Sequence, residues 1–230
     1  MKFIKPLIKG KLIKRYKRFF ADIKLSKSTI IAHCPNTGSM MGLLEEGNEV
    51  FVSKNNDPKR KLKYTLEIIK TKKKLVGVNT HFANKIAFHG LSNNLIKEIA
   101  NNDVIKPEVF FDKETRFDFF IRKNKQKIFV EVKNVTLLRN EKIAEFPDAV
   151  TIRGSKHLKA LIEATKRGFG AYLLFLVQIE NVDFFKIAED IDSEYYKNFL
   201  LAKKAGVKFL AYRCKISYKR IIIEKKIKII

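Results

Sequence analysis

The chain has 230 residues and a formal net charge of +24, from 48 Lys and Arg against 24 Asp and Glu. This length suits one or two domains, and a hydrophobic content of 46% excludes a disordered basic tail. The longest apolar run, residues 171–177, is far shorter than the roughly 20 residues of a membrane helix.

The amino terminus and the cysteines indicate a compartment. Lys and Pro interrupt the first ten residues, which therefore lack the apolar block of a signal peptide. Two cysteines, Cys34 and Cys214, exclude a disulfide framework and a cysteine-rich zinc site. We expect a protein of the reducing cytoplasm that does not reside in a membrane.

The positive charge is concentrated in the first third of the chain. Residues 1–75 carry 19 basic and 6 acidic residues, a net charge of +13, and the remaining 155 residues carry 29 and 18, a net charge of +11. Such a surface predicts a polyanionic partner, either nucleic acid or an anionic membrane. A lysine-rich proteome is an alternative explanation, although it does not account for the few acids in the first third. The membrane is less favoured because no basic amphipathic helix is visible.

Short apolar and aromatic segments separated by turn residues fill the first third. They predict strands over Tyr16–Leu25, Thr29–His33, Asn48–Ser53, Leu62–Lys70 and Leu75–Val78. Strands at this density indicate a small β-barrel. An OB-like barrel is one option, and propensity alone does not distinguish it from other small barrels.

From about Thr80 the pattern changes to helices alternating with strands. It predicts, in order, a helix over 84–101 with Phe88 and Leu91 on its packed face, strands over Glu108–Phe111, Thr115–Arg122 and Lys127–Lys133, a helix over Arg153–Arg167, a buried strand over Gly170–Gln178, a helix between Ser193 and Gly206, and a strand over Val207–Cys214. This order favours an α/β (α+β) domain with a mixed central sheet flanked by helices.

Two acids interrupt otherwise apolar strands. Asp118 lies between Phe117 and Phe119, and Glu131 lies between Val130 and Val132. With a tight turn at residues 124–125, Asp118 and Glu131 are directly opposed, with Cβ atoms about 5 Å apart. Two such carboxylates repel each other unless a cation lies between them.

Lys133 adds an ammonium to these acids, because residues 131 and 133 project from the same face of a strand. Two carboxylates with water suit Mg²⁺ or Mn²⁺, and an ammonium beside them can orient an attacking water and offset charge on phosphorus. We therefore predict metal ligation by Asp118 and Glu131, with Lys133 as the third catalytic residue of phosphodiester hydrolysis. The alternative is an ordinary surface hairpin in which Lys133 pairs with its acidic neighbours.

The segment from Arg116 to Lys133 resembles the PD-(D/E)xK nuclease signature, with Phe117 where the strict form has Pro. The whole chain resembles the sugar fermentation stimulation protein family. The segments that carry this resemblance are Pro6–Phe19, Ala32–Met40, Asn56–Leu62, Val76–Thr80, Glu131–Leu137, Phe146–Val150 and Ala211–Cys214.

The resemblance implies an amino-terminal OB-like domain over residues 1–80 and a nuclease-like domain over residues 81–230. It also implies DNA binding, with either Mg²⁺-dependent cleavage or, as the alternative, non-catalytic regulation of sugar metabolism. Many nucleases of this superfamily place an acid on the first core helix, where this chain has Phe88 and His89. That departure argues against a complete two-metal site and is compatible with a single metal ion.

Cations near turns and helix starts are candidate nucleic-acid contacts, because they can neutralise phosphates. They are Lys14, Arg15, Lys17 and Arg18, Lys59, Arg60 and Lys61, and Arg153 and Lys156 at a helix start, together with Asn36 in the turn after His33. His157 could assist proton transfer, but we interpret it as structural, since a lone histidine more often is. The sequence does not distinguish a monomer from a homodimer.

Overall fold

The computed structural model describes residues 1–71 and 74–230. The strands are β1 (Ile8–Tyr16), β2 (Phe20–Lys24), β3 (Thr29–His33), β4 (Glu49–Lys54), β5 (Tyr64–Lys70), β6 (Leu75–Gly77), β7 (Val104–Phe110), β8 (Arg116–Lys123), β9 (Gln126–Val135), β10 (Ile143–Phe146), β11 (Gly170–Val177), β12 (Phe184–Ile187), β13 (Lys208–Ile216), β14 (Ile221–Lys226) and β15 (Lys228–Ile229). The helices are α1 (Ala83–Ser92), α2 (Ile152–Lys166) and α3 (Ser193–Lys204), with 3₁₀ turns at Thr80–Phe82 and Lys97–Ile99.

The first five strands form an OB-like barrel. They pair in the order β3-β2-β1-β4-β5, and a parallel pairing of β3 with β5 closes the ring. β6 extends the sheet beyond β5. The OB-like architecture predicted from the sequence is therefore present.

The first strand differs from the prediction. The sequence placed one strand over Tyr16–Leu25, whereas the structure has a separate strand β1 before a turn at residues 17–19. Gly10 weakens the strand signal in β1, but the barrel needs it, because a Cβ there would lie 2.6 Å from Ile23 Cγ2 and 2.9 Å from the carbonyl oxygen of Lys24.

The second half is built on a mixed six-stranded sheet in the order β14-β13-β11-β9-β8-β7. β7, β8 and β9 form an antiparallel meander, and β9, β11 and β13 run parallel. α1 packs on one face against β7, β9 and β14, and α2 packs on the other face with α3 beside it. β10, β12 and β15 form a small parallel sheet nearby.

The helix predicted over 84–101 is too long. α1 ends at Ser92, where the Asn93 side chain donates to the carbonyl of His89, and Asn94 adopts a left-handed backbone conformation. Two successive Asn residues supply polar side chains that favour this ending over another helical turn. Leu91 is buried as expected, but Phe88 remains 43% exposed.

Central strand β11 is apolar and buried from Ala171 to Val177, as a strand covered on both faces should be. No helix in the described part of the chain is both long and apolar enough to cross a membrane.

An aromatic cluster supports the β8–β9 hairpin. Phe129 is 5% exposed and contacts the rings of Phe111, Phe117, Phe120 and Phe169, with centroids 5.2–5.4 Å away. We predict that Phe129→Ala lowers the free energy of unfolding by about 3–5 kcal/mol, because it leaves a cavity among these rings. Urea denaturation measures this change.

The control for that variant is Phe184→Ala, which removes a ring that is 37% exposed on β12. We expect it to cost much less, since its surroundings are partly solvent. Equal effects of the two substitutions would contradict the supporting role of the cluster.

Candidate active site

The β8–β9 hairpin has the register predicted from the sequence. Lys123 pairs with Gln126 across a two-residue turn, in which Asn124 has a left-handed φ of 53°. The ladder continues to the pair Phe119–Val130 and stops there, one position before Asp118 and Glu131, so the two acids are not the directly paired partners predicted from the sequence. Beyond that point β8 pairs only with β7, and β9 pairs only with β11. The two strands separate at Asp118 and Glu131, and we call this pair of acids the acidic fork.

The Asp118 carboxylate occupies the gap where the ladder stops. Its Oδ2 accepts a hydrogen bond from the backbone N–H of Val132 at 2.7 Å. Its Oδ1 accepts from Nδ2 of Asn84 on α1, also at 2.7 Å. The side chain therefore joins β8 both to β9 and to the helix on one face of the sheet.

Glu131 is 3% exposed, and the two oxygens of its carboxylate have different surroundings. Oε1 lies 2.8 Å from Lys133 Nζ and also contacts His157 Nδ1. Oε2 is buried and has no hydrogen-bond partner. A buried carboxylate oxygen without a partner is costly unless a ligand satisfies it.

His157, on α2, connects the helix to the fork. Its Nδ1 lies 3.1 Å from Lys133 Nζ as well as in contact with Glu131, and its Nε2 lies 3.4 Å from Nε of Arg153. A protonated Nδ1 donates a hydrogen bond to Glu131, whereas an unprotonated Nδ1 accepts one from Lys133. Our interpretation of His157 as a structural histidine missed this position beside both groups.

The two acids of the fork have opposite pKa shifts. Burial, and then the negative charge of Glu131, raise the pKa of Asp118 to about 6, against the opposing hydrogen bonds from Val132 and Asn84. Burial alone would raise the pKa of Glu131, but the contacts with His157 and Lys133 outweigh it and hold that pKa below its usual value. In the absence of a cation, the fork therefore favours one negative charge over two at mildly acidic pH.

Asp118 opens onto a cleft of about 980 Å³, which we call the active-site cleft. One wall is α2, which contributes Arg153, Lys156, His157 and Lys159. The other wall is the β7–β8 hairpin, which contributes Glu108, Phe110, Asp112, Glu114 and Arg116.

The fork fits a hard cation that completes its shell with other oxygens. Among residues 1–71 and 74–230, no group of three or more His, Cys, Asp or Glu side chains is placed to hold a metal ion. Mg²⁺ commonly uses one or two carboxylates together with waters and substrate phosphates. Asp118 and the unpartnered Oε2 of Glu131 match that donor set, while a closed all-protein site is not formed.

The predicted contacts on the barrel fall into exposed and internally bonded groups. Lys14, Lys17 and Arg18 are exposed, and the latter two have left-handed backbone conformations in the β1–β2 turn. Arg15 instead donates to backbone carbonyls, including that of Asn36 at 2.8 Å. Asn36 is 4% exposed and donates to Thr136 Oγ1 at 3.3 Å. Arg15 and Asn36 therefore hold the barrel loop and its contact with the second half.

The remaining predicted contacts lie on two other segments. Lys59 and Lys61 are exposed in the β4–β5 connection, where Arg60 is half-buried. Arg153 and Lys156 are exposed in the first turns of α2 and line the active-site cleft. The structure therefore brings only Arg153 and Lys156 of the predicted contacts beside the fork.

Asn84 and Glu108, two polar residues that are linked to Asp118, were not predicted from the sequence. Asn84 binds Asp118 from the start of α1, and Glu108 lies 2.9 Å from Nε of Arg116 and 3.4 Å from Asn84. The left-handed φ of 54° at Glu108 is an irregularity inside β7 that propensity gives no sign of. Asn84 was within the predicted helix, but its contact depends on where that helix packs.

Comparison with known proteins gives matches over nearly the whole chain. Residues 13–78 match the SfsA N-terminal OB domain, and residues 81–220 match the sugar fermentation stimulation protein RE domain. The chain is 79% identical to a sugar fermentation stimulation protein homolog of Pelagibacter ubique (strain HTCC1062), covering 100% of this chain and 99% of that protein. A homolog of Pseudoalteromonas atlantica is 43% identical, with 100% of both chains covered. The structure of Pyrococcus furiosus SfsA in complex with Ca²⁺ superposes with a TM-score of 0.89 at 25% identity, covering 100% and 98% of the two chains.

The cost of burying the Asp118 charge beside Glu131 gives a stability prediction for Asp118→Asn. The pKa of Asp118 is about 6 in the folded chain, above its usual 3.8, so the native state binds this proton more tightly than the unfolded state. Stability is therefore lost as pH rises through 4 to 6, and the loss is complete above that range. At pH 8 in EDTA, the variant should be more stable than the wild type by about 2–3 kcal/mol.

Thermal unfolding at pH 4 and pH 8 measures this difference, which should shrink at the lower pH. Mg²⁺ should raise the melting temperature of the wild type more than that of the variant. Glu189→Gln, which removes an exposed acid elsewhere, is the control. A variant that is less stable than the wild type at pH 8 would contradict a net cost of the buried Asp118 charge beside Glu131.

Proposed function

The chain belongs to the sugar fermentation stimulation protein family, and we propose that it is a metal-dependent nuclease that binds DNA and hydrolyses its phosphodiester bonds. The observation that carries this proposal is the acidic fork, where a buried Glu131 oxygen lacks any partner and a neighbouring carboxylate has a raised pKa. Two acids held in this way beside a lysine are unfavourable as structure alone. They are suited to holding a cation.

Asp118 and Glu131 would hold Mg²⁺ or Mn²⁺, the hard divalent ions that carboxylates prefer. When bound, such an ion lowers the pKa of a coordinated water and offsets charge on the phosphate. The Ca²⁺ in the structure of the Pyrococcus furiosus relative supports the binding of a divalent ion by this family. Hydrolysis would call for an ion of the Mg²⁺ or Mn²⁺ type in this chain.

We assign to Lys133 the roles of orienting the attacking water and of offsetting the negative charge that develops on phosphorus. Its side chain is 12% exposed and is fixed between Glu131 Oε1 and His157 Nδ1. An ammonium held in a poorly solvated position needs no reorganisation during the reaction. His157 contacts both Lys133 and Glu131, and we assign it to positioning them.

Substrate binding is assigned to the cations. Arg153 and Lys156 are in the first turns of α2, where free N–H groups also favour anions. Lys14, Lys17, Arg18, Lys59 and Lys61 give the barrel an exposed basic surface. We propose that residues 1–80 grip the nucleic acid and residues 81–230 act on it, in the cytoplasm.

A second candidate is a DNA-binding regulator that does not cut. It is favoured by the lack, within the described residues, of a third side-chain ligand at the fork. Phe88 and His89 occupy the helix positions where the family resemblance implies another acid. One metal ion and an incomplete shell are compatible with binding alone.

Cleavage assays distinguish the two candidates. The purified chain is incubated with single- and double-stranded DNA and RNA in Mg²⁺, in Mn²⁺ and in EDTA. We predict cleavage that requires the metal and falls by at least about 100-fold in Asp118→Asn and in Lys133→Ala, because each loses charge stabilisation of the transition state. Gel electrophoresis of labelled substrate measures the rates.

The matched controls are Glu189→Gln and Lys197→Ala, which remove one exposed acid and one exposed lysine outside the cleft. Both should cut like the wild type. Unchanged cleavage in the Asp118 and Lys133 variants would refute the assignment of the site. Metal-independent binding with no cleavage under any condition would favour the regulator.

A further inference from the structure

The two walls of the active-site cleft differ in charge. α2 contributes the cations Arg153, Lys156 and Lys159, whereas the β7–β8 hairpin contributes Glu108, Asp112 and Glu114. Arg116, the cation on the acidic wall, is paired with Glu108 at 2.9 Å. A polyanion entering the cleft is therefore attracted to one wall and repelled by the other.

Phe110 projects from the acidic wall into this asymmetric cleft. Its side chain is 65% exposed, and the Arg116 guanidinium lies 5.7 Å from its ring centroid. An exposed phenylalanine forgoes the stabilisation that burial would give it. The guanidinium lies over one face of the ring, as in a cation–π contact, and the exposed part of the ring remains available for stacking.

The hairpin holds Phe110 in place. Its neighbour Phe111 packs into the aromatic cluster, 5.3 Å from Phe129 and 5.6 Å from Phe117. At the tip, Asp112 Oδ1 accepts from the backbone N–H groups of Glu114 and Thr115 at 2.9 and 2.6 Å. The Phe110 ring is thus held in a preformed position, which reduces the entropy lost when a ligand stacks on it.

We propose that the active-site cleft takes single-stranded nucleic acid, with phosphates along α2 and a base stacked on Phe110. A single strand has a charged edge and a base edge, which match the basic and the acidic, aromatic walls. Carboxylates can accept hydrogen bonds from the N–H groups of bases, as Glu and Asp do with cytosine N4. The inference deepens the proposed function, on which it rests, by naming its substrate class.

A duplex fits this cleft less well. Its phosphates lie on both outer edges and its bases are stacked on each other, so one phosphate row would face Glu108, Asp112 and Glu114. Its bases would have no exposed face for Phe110 unless they were unpaired. Discrimination between single-stranded and duplex nucleic acid therefore depends on the β7–β8 wall. Phe110 is the most direct probe of that wall.

The absence of tryptophan from the chain allows a direct test. Phe110→Trp introduces a single tryptophan, which is excited selectively over the tyrosines. The full chain is titrated in EDTA with a 15-nucleotide oligo(dT) and with a 15-base-pair duplex. We expect quenching by the single strand and little change with the duplex. Phe184→Trp, on β12, is the control, and its fluorescence should not respond to either ligand.

Binding of the same ligands is measured by fluorescence anisotropy. Phe110→Ala should weaken oligo(dT) binding roughly tenfold, the size of one base–aromatic stack, and should hardly affect duplex binding. Phe184→Ala should leave both affinities unchanged. Equal quenching by the duplex, no quenching by either ligand, or full oligo(dT) affinity in Phe110→Ala would overturn the inference.

These outcomes are independent of cleavage, because no metal is present. If no substrate is cut but Phe110 still responds to the single strand, the nuclease proposal fails and the single-strand inference stands. If cleavage requires Asp118 but Phe110 has no influence on binding, the nuclease proposal stands and the inference fails.

Discussion

The cost of placing two carboxylates together at low solvent exposure is the constraint on which the candidate site depends. β8 and β9 stop pairing one position before Asp118 and Glu131, so the sheet opens at that point. The Asp118 carboxylate accepts a hydrogen bond from the backbone N–H of Val132, and Oε2 of Glu131 has no hydrogen-bond partner. Contacts from both helix layers, Asn84 on α1 and His157 on α2, converge on these acids. A single cation between the two carboxylates would both remove their repulsion and bind the unpartnered oxygen of Glu131.

The two halves of the chain are joined by specific polar contacts, which set the basic barrel against the sheet that carries the fork. Asn36 Nδ2 donates to Thr136 Oγ1 at 3.3 Å. Lys74 Nζ donates to the carbonyl of Asn181 at 2.6 Å. Arg18 and Asn36 consequently line a small cleft of about 310 Å³ together with Thr151, the N-cap of α2. The helix that supplies Arg153, Lys156 and His157 thus begins beside the barrel.

The sequence predicted those parts of the site that depend on local geometry. A two-residue turn determines the register of the β8–β9 hairpin, so the positions of Asp118, Glu131 and Lys133 followed from the alternation of strand residues. Asn84, Glu108, Phe110 and His157 reach the cleft through the packing of α1 and α2 and an irregularity in β7, which residue patterns do not encode. In the same way, β1 was missed because Gly10 and alternating lysines weaken its pattern, although the barrel requires a close approach there.

The central claim is that the acidic fork holds one divalent cation. Crystals of the full chain soaked in Mn²⁺ test it directly through anomalous scattering. The account predicts one strong anomalous peak between Asp118 and Glu131, within about 2.2 Å of an oxygen of each, with the remaining ligands supplied by water. The Asp118→Asn crystal should lose that peak. An empty fork at saturating Mn²⁺, or Mn²⁺ bound only elsewhere on the surface, would contradict the account.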